Sequence, residues 1–265
     1  GSAGGGDFRR RHAPAKGMIL PFELGYGAAA FMAVAILVSA FVRGYSGFGF
    51  SAMVIAASGI VTNPLHFVAV VVICEALMSV QAWKGVGPNV DWHRVGYLMA
   101  GAAVGMPLGL WALTSISEDS ARAVISGYVL LMCLILFAGW QFGRELRGPV
   151  NLGVGVISGL ANAPGMGGLP VAAFFAAQTI PAAVFRATLV AYFPLLDIFS
   201  APLYFWHGMV SWDTLWASLW ALPMVFLGNW LGSRHFLHTD PQDFRKFAIG
   251  LLAVLATVGL VKAVM

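Results

Sequence analysis

GYSGFGFS, at Gly44–Ser51, and ANAPGMGGLP, at Ala161–Pro170, interrupt a hydrophobic sequence in the same way. Each lies between two short apolar segments, and each is followed further along by a proline, Pro64 or Pro181. Lipid offers no hydrogen-bond partner to a free backbone N–H or C=O, so flexible backbone at membrane depth is stable only where protein encloses it. Two such breaks are typical of transporters whose broken helices surround a substrate site. The sequence therefore predicts a membrane transporter.

The composition supports this class of protein. Hydrophobic residues make up 59% of the 265 residues, charged residues make up 10%, and the mean hydropathy is +0.82. A water-soluble protein of this length needs fewer apolar residues for its core. The net charge of +4 arises in short segments between apolar runs, which argues against a nucleic-acid-binding face. Cys74 and Cys133 lie inside apolar runs and are expected to be small buried residues, and the histidines show no metal-ligand spacing.

The apolar runs predict an all-α polytopic fold. A helix needs about 20 residues to cross a bilayer core. Six runs reach that length: 64–83, 92–114, 121–141, 181–205, 212–237 and 244–264. Four shorter pieces, 25–42 with 51–61 and 150–160 with 171–179, are mostly too short to cross alone. Each of these two pairs is predicted to form a broken or re-entrant helix pair around its glycine break.

The two halves also share residue identities in one order, which indicates an internal duplication. The matches are GYSGFG with NAPGMG, Pro64 with Pro181, Trp92 with Trp212, GMPLG at 105–109 with GNWLG at 228–232, Arg122 with Arg245, and Gly127 with Gly250. Glycine-rich helix contacts also arise independently in membrane bundles, but an ordered series favours duplication. We predict a first transmembrane repeat at 18–143 and a second at 144–265. Residues 1–17 are an expression scar or a cytoplasmic tail and stay outside the fold.

The basic residues predict that the two repeats are inverted. With three crossings after each broken pair, the second repeat starts from the opposite side of the membrane. Only this arrangement places the following basic residues on one side, which the positive-inside rule makes cytoplasmic: Lys84, Arg94, Arg144, Arg147, Arg234, Arg245 and Lys246. It also places residue 18 outside, which conflicts with the basic cluster Arg9–Arg11 unless that cluster is a tag or the segment 25–42 spans the membrane.

Four features of the sequence recur together: the doubled G-x-x-G-x-G break, the proline that opens the next span, Asp91-Trp92 at a loop end and the G-x-x-x-G that follows. In these features the sequence resembles the TauE/SafE sulfite exporter family, also called the toluene-sulfonate uptake permease family. The resemblance covers nearly the whole chain from about residue 18. It implies a multi-pass carrier of the bacterial inner membrane for small sulfur-containing anions, such as sulfite or organosulfonates like sulfoacetate, often acting as an exporter. The second half departs from the first at Asn162, Pro164 and Trp212-Asp213, which leaves the substrate open.

Backbone donors are the first candidates for holding an anion. An anion in a low dielectric needs opposite charge or several oriented donors. Helices starting at Ser51 and Leu169 would point free N–H groups and the positive dipole end inward. Glycines at both breaks would let those donors approach an oxyanion: Gly47, Gly49, Gly165, Gly167 and Gly168. The alternative is that these glycines only permit close helix crossings.

Arg43 and Arg186 are the candidate cations, since a guanidinium can hold two sulfonate or sulfite oxygens. Alternatively, Arg43 ends a helix at the surface and Arg186 extends to the interface. Neutral donors come from three further candidates, Ser46, Asn162 and Tyr192.

Glu75 and Asp197 are the candidate proton carriers. Glu75 lies near the centre of the span 64–83, and Asp197 follows Arg186 by eleven residues, on nearly the same helix face. A carboxylate at that depth is usually functional or paired. A coupling proton is one interpretation, and a neutral carboxylic acid that joins two helices is the other.

Two other functions fit parts of the sequence. Gly44-Tyr45-Ser46-Gly47 matches the G-x-S-G of rhomboid intramembrane proteases, but His66 lies near the end of its span and the counterpart of Ser46 is Pro164. A serine without its base is inert, so the chain is predicted not to be an enzyme. An anion channel is the second alternative. The residues indicate no cofactor and no metal, and they leave the oligomeric state open.

Overall fold

A computed structural model describes residues 20–46, 48–82, 87–139, 141–142, 144–146 and 148–235. The predicted tail, Gly47 and the predicted span 244–264 lie outside this part of the chain, as do the side chains of Ser46 and Arg186. The described residues contain nine α-helices and no strand: α1 Tyr26–Ser46, α2 Phe50–Val61, α3 Leu65–Ala82, α4 Trp92–Thr114, α5 Glu118–Ala138, α6 Pro149–Asn162, α7 Gly168–Ala176, α8 Ala182–Trp206 and α9 Trp212–His235. The all-α polytopic class predicted from the sequence is confirmed.

Five of these helices are long and apolar enough to cross a membrane, at Tyr26–Tyr45, Trp92–Thr114, Glu118–Leu136, Ala187–Trp206 and Trp212–Arg234. The first of them favours one of two expectations for the segment 25–42, which was predicted either to belong to a broken pair mostly too short to cross or to span the membrane. The helix continues through Arg43 and Gly44 to Ser46 and so reaches 21 residues.

Each glycine break contains one residue whose backbone conformation only glycine adopts without strain. Gly49, between α1 and α2, has φ +94°, and Gly165, between α6 and α7, has φ +77°. This left-handed backbone is unfavourable for residues that carry a Cβ. A turn at Gly49 therefore separates α1 from α2, and a turn at Gly165 separates α6 from α7.

Two glycine-rich crossings pack α4 against α6 and α9 against α1. On α4, a Cβ added at Gly105 would overlap the Val156 carbonyl of α6; on α9, a Cβ added at Gly232 would overlap the Phe41 carbonyl of α1. Gly109 faces Leu160 and Gly228 faces Leu37, so contacts advance along both partners together. α4 therefore runs parallel to α6, and α9 runs parallel to α1, at backbone separations that only small residues permit.

The contacts show that the two breaks enter the molecule from opposite faces. Phe22, just before α1, stacks on His66 at the start of α3, and Arg43, near the end of α1, reaches Glu75. α1 therefore runs parallel to α3. The end of α4 shares a cavity of about 510 Å³ with the start of α3, so α4 and its parallel partner α6 run the other way. An inverted repeat would produce this arrangement, and the repeat boundaries stay a prediction.

Candidate functional site

The break between α1 and α2 is occupied by an ion pair. Arg43 of α1 donates from Nη1 to Glu75 Oε1 of α3 at 2.5 Å, and from Nη2 to Ser79 Oγ at 3.1 Å. Arg43 is 8% exposed and Glu75 is 9% exposed. A buried charge is stable only when it is paired, so each of these side chains fixes the position of the other.

The carboxylate of Glu75 also occupies the N-terminal end of α2. Ser51, in the first turn of α2, hydrogen bonds to Glu75 through both its hydroxyl and its backbone N–H. Free N–H groups and the positive dipole end make a helix N-terminus a favourable position for an anion. Glu75 thus fills the position predicted for a substrate anion at the first break.

The break between α6 and α7 has neutral groups in the corresponding place. Ser158 Oγ donates to the Gly167 carbonyl at 2.6 Å and lies 2.7 Å from the hydroxyl of Tyr192. The hydroxyl of Tyr204 donates to the Asn162 carbonyl. These bonds anchor the turn that precedes α7, which begins at Gly168.

Asn162 presents an unused donor at this second break. The residue is 4% exposed, and its Nδ2 has no hydrogen-bond partner among the residues that the structure describes. Its side chain lies against Gly167, the residue that caps α7: an added Cβ there would come 2.9 Å from Asn162 Oδ1. Buried amide groups are normally satisfied, so this donor is available to a ligand atom.

Asp197 of α8 is a second buried carboxylate near the ion pair. It is 3% exposed, and its Oδ2 has no hydrogen-bond partner within the described part of the chain. It lies close enough to Glu75 and Arg43 to interact with both electrostatically. Two carboxylates therefore share the field of one guanidinium in the interior of the molecule.

The structure brings most of the predicted site residues to the two breaks. Arg43 and Glu75 meet directly, Asn162, Gly167, Gly168 and Tyr192 surround the second break, and Asp197 lies near the ion pair. The roles assigned to these residues stay predictions, as do those of Gly49 and Gly165 at the two turns. Gly47 and the side chains of Ser46 and Arg186 lie outside the described residues.

Four contributors were missed by the sequence analysis: Ser79, Ser158, Phe193 and Tyr204. Ser79 follows Glu75 by four residues on α3, so helical spacing places both on one face and could have indicated it. Ser158, Tyr204 and Phe193 form contacts across helices, and nothing in the local sequence separates them from ordinary packing residues.

Arg94 forms another buried cluster, at the face where α4 begins. It is 2% exposed and contacts Asp91 at 3.0 Å, Glu145 at 3.2 Å and Gln178 at 3.2 Å, with its guanidinium over the ring of Phe175. Such a cluster ties the start of α4 to the end of α7. The sequence indicates Arg94 only as a charge that sets orientation, whereas its burial gives it a structural role.

Comparison with known proteins agrees with this architecture. The family model of Sulfite exporter TauE/SafE matches residues 31–258. "Probable inner membrane transporter protein TsaS" of Comamonas testosteroni is 26% identical over 175 residues, which cover 65% of this chain and 73% of that protein. No solved structure matches. The predicted multi-pass inner-membrane localisation is confirmed by this relative together with the five apolar helices. The chain is a membrane transporter that belongs to the TauE/SafE sulfite exporter family.

Proposed function

We propose that this protein carries small sulfur-containing anions, sulfite or an organosulfonate such as sulfoacetate, across the inner membrane by alternating access. The family supports this class of cargo, and the relative supports transport across an inner membrane. The observation that carries the proposal is the buried Arg43 near the end of α1, whose partner Glu75 also hydrogen bonds to Ser51 at the N-terminus of α2. A guanidinium and a helix N-terminus are the two groups that best compensate an oxyanion away from water.

In this proposal the substrate competes with Glu75 for Arg43. While Glu75 is ionised, it neutralises the guanidinium and fills the N-terminal end of α2. A second anion then gains little, because it meets a neutral pair and the further negative charge of Asp197. The substrate binds well once Glu75 accepts a proton and releases Arg43. Anion and proton therefore cross together.

The proposed exchange of Glu75 for substrate at Arg43 determines the net charge that crosses the membrane in each transport cycle. One proton enters the site for each anion, so transport of a monovalent anion is electroneutral. Export then requires the internal anion concentration to exceed the external one by more than the opposing proton gradient. We propose export as the physiological direction, on the ground of the family to which the chain belongs.

Purified protein in proteoliposomes tests the proposal. Vesicles are loaded in parallel with sulfite, sulfoacetate, taurine and sulfate, and efflux is followed with internal pH. We expect flux of sulfite or sulfoacetate together with protons. Arg43→Ala should lower this flux at least about tenfold, because hydrogen bonds to a charged group contribute about 1.5–3 kcal/mol. Arg144→Ala, which removes an exposed arginine, is the matched control.

Glu75→Gln separates cargo binding from coupling. The amide cannot take up a proton, so flux should continue under an imposed membrane potential and lose its response to a pH gradient. Normal transport by Arg43→Ala would contradict the site. A folded wild-type protein that moves none of the four solutes would contradict the function, and ion currents well above carrier turnover would indicate a channel.

A further inference from the structure

Phe193 of α8 lies between the two breaks. Its ring centroid is 5.8 Å from the guanidinium carbon of Arg43, with the cation over the ring face. On another side, a Cβ added at Gly168 would stand 3.0 Å from Cε1 and 3.1 Å from Cζ of the same ring. The side chain is 5% exposed. One ring therefore contacts the charged group of the first break and the first residue of α7 at the second.

Both neighbours of this ring are electropositive. Arg43 carries a full charge, and the N-terminus of α7 carries the positive end of the helix dipole. The side chain of Asn162, whose Nδ2 has no hydrogen-bond partner among the described residues, lies against Gly167, the cap residue of α7. The face of an aromatic ring attracts a cation. Phe193 therefore stabilises the Arg43 guanidinium although its side chain carries no negative charge. An oxyanion that bridged Arg43 and the start of α7 would need the space that the ring now fills.

We propose that Phe193 is a displaceable placeholder that determines substrate size. It fills the space between Arg43 and the N-terminus of α7 when no anion is bound and turns aside when one binds. This inference rests on the proposed function of the same site. The volume released by the ring limits how large the organic part of a sulfonate can be, so Phe193 favours sulfite and short alkylsulfonates over aromatic sulfonates.

Three substitutions of Phe193 test this role by competition of sulfoacetate and benzenesulfonate against sulfite flux. Phe193→Ala should lower the half-inhibitory concentration of benzenesulfonate relative to that of sulfoacetate by about tenfold, since a change of one methylene in an apolar pocket is worth about 10-fold to 200-fold. Phe193→Trp should change this ratio in the opposite direction. Phe193→Leu keeps most of the volume and should lie between wild type and Phe193→Ala, so it keeps the test available if the alanine variant fails to fold.

Two further variants make the test specific. Phe185→Ala removes an equal side chain from the same helix, where it packs on Phe175, and should leave the ratio unchanged. Gly168→Ala pushes a methyl group against the Phe193 ring and should alter sulfite transport, and adding Phe193→Ala should relieve that effect. An unchanged ratio in Phe193→Ala and Phe193→Leu, with sulfite flux intact, would overturn this inference alone. Absence of any sulfur-anion flux in the wild type would instead overturn the proposed function.

Discussion

The two glycine breaks share a backbone and differ in chemistry. Each has a glycine with positive φ followed by a short apolar helix. Where the first break has Arg43 before its glycines and Glu75 eleven residues after Pro64, the second has Ala161 and, eleven residues after Pro181, Tyr192. The first break therefore holds a charge pair and the second holds neutral hydrogen bonds.

In the proposed mechanism, this difference assigns the proton-coupled step to the first break. Neutral hydroxyls and an amide can orient an anion, but they cannot exchange a proton for it at physiological pH. In the proposed mechanism Arg43 and Glu75 exchange partners, because each holds the other and the substrate replaces Glu75 at Arg43. The two breaks thus share a scaffold, and the residues that differ between them give the two breaks unequal chemistry.

Breaking the charge pair should produce the largest loss of stability. Arg43→Met leaves Glu75 buried without its cation, which costs about 3–5 kcal/mol when one partner of a buried pair is removed. The double variant Arg43→Met with Glu75→Gln should recover most of this loss, because it removes both charges. Thermal unfolding in detergent should give the highest melting temperature for the wild type, a slightly lower one for the double variant and the lowest for the single variant. A double variant as unstable as the single one would show that Glu75 does not depend on Arg43.

The shared scaffold predicts smaller and equal effects at the two glycine crossings. Gly105→Ala and Gly232→Ala each place a methyl group against a backbone carbonyl of the parallel partner helix. Overpacking of this kind costs about 1–3 kcal/mol. Gly153→Ala on α6, where an added Cβ meets nothing within 4 Å, is the control and should cost nothing. Thermal unfolding that shows a loss at only one of the two crossings would mean that the two halves are not packed alike.

The sequence predicted the positions of the breaks better than their partners. Glycine patterns and prolines mark where the backbone turns, and hydropathy marks which residues lie at membrane depth. Neither signal says what a side chain meets across a helix interface. The pairing of Arg43 with Glu75 joins residues 32 positions apart, and the contact of Tyr204 with Asn162 joins residues 42 positions apart.

Helix length and burial of charge were harder to predict for the same reason. α1 continues past the point where its apolar run ends, because Arg43 is neutralised by α3 and so can remain inside. Arg94 has the sequence of a loop charge, but it lies buried, paired with Asp91 of its own helix cap and with Glu145 and Gln178 from two other segments. Tertiary contacts decide both outcomes, and local periodicity contains no information about them.

Tyr192→Phe should cause the smallest loss of stability. It also tests directly whether the first break alone couples anion movement to protons. Tyr192 corresponds to Glu75, and its hydroxyl forms a hydrogen bond with Ser158 while its ring contacts Phe193. The substitution keeps the ring, so loss of the hydroxyl should cost about 0.5–1.5 kcal/mol of stability. The variant should still move protons with the anion, whereas Glu75→Gln should not. Tyr26→Phe is the control, because Tyr26 is 67% exposed. Loss of proton movement in Tyr192→Phe would assign coupling to both breaks, since a neutral hydroxyl network would then matter as much as the charge pair.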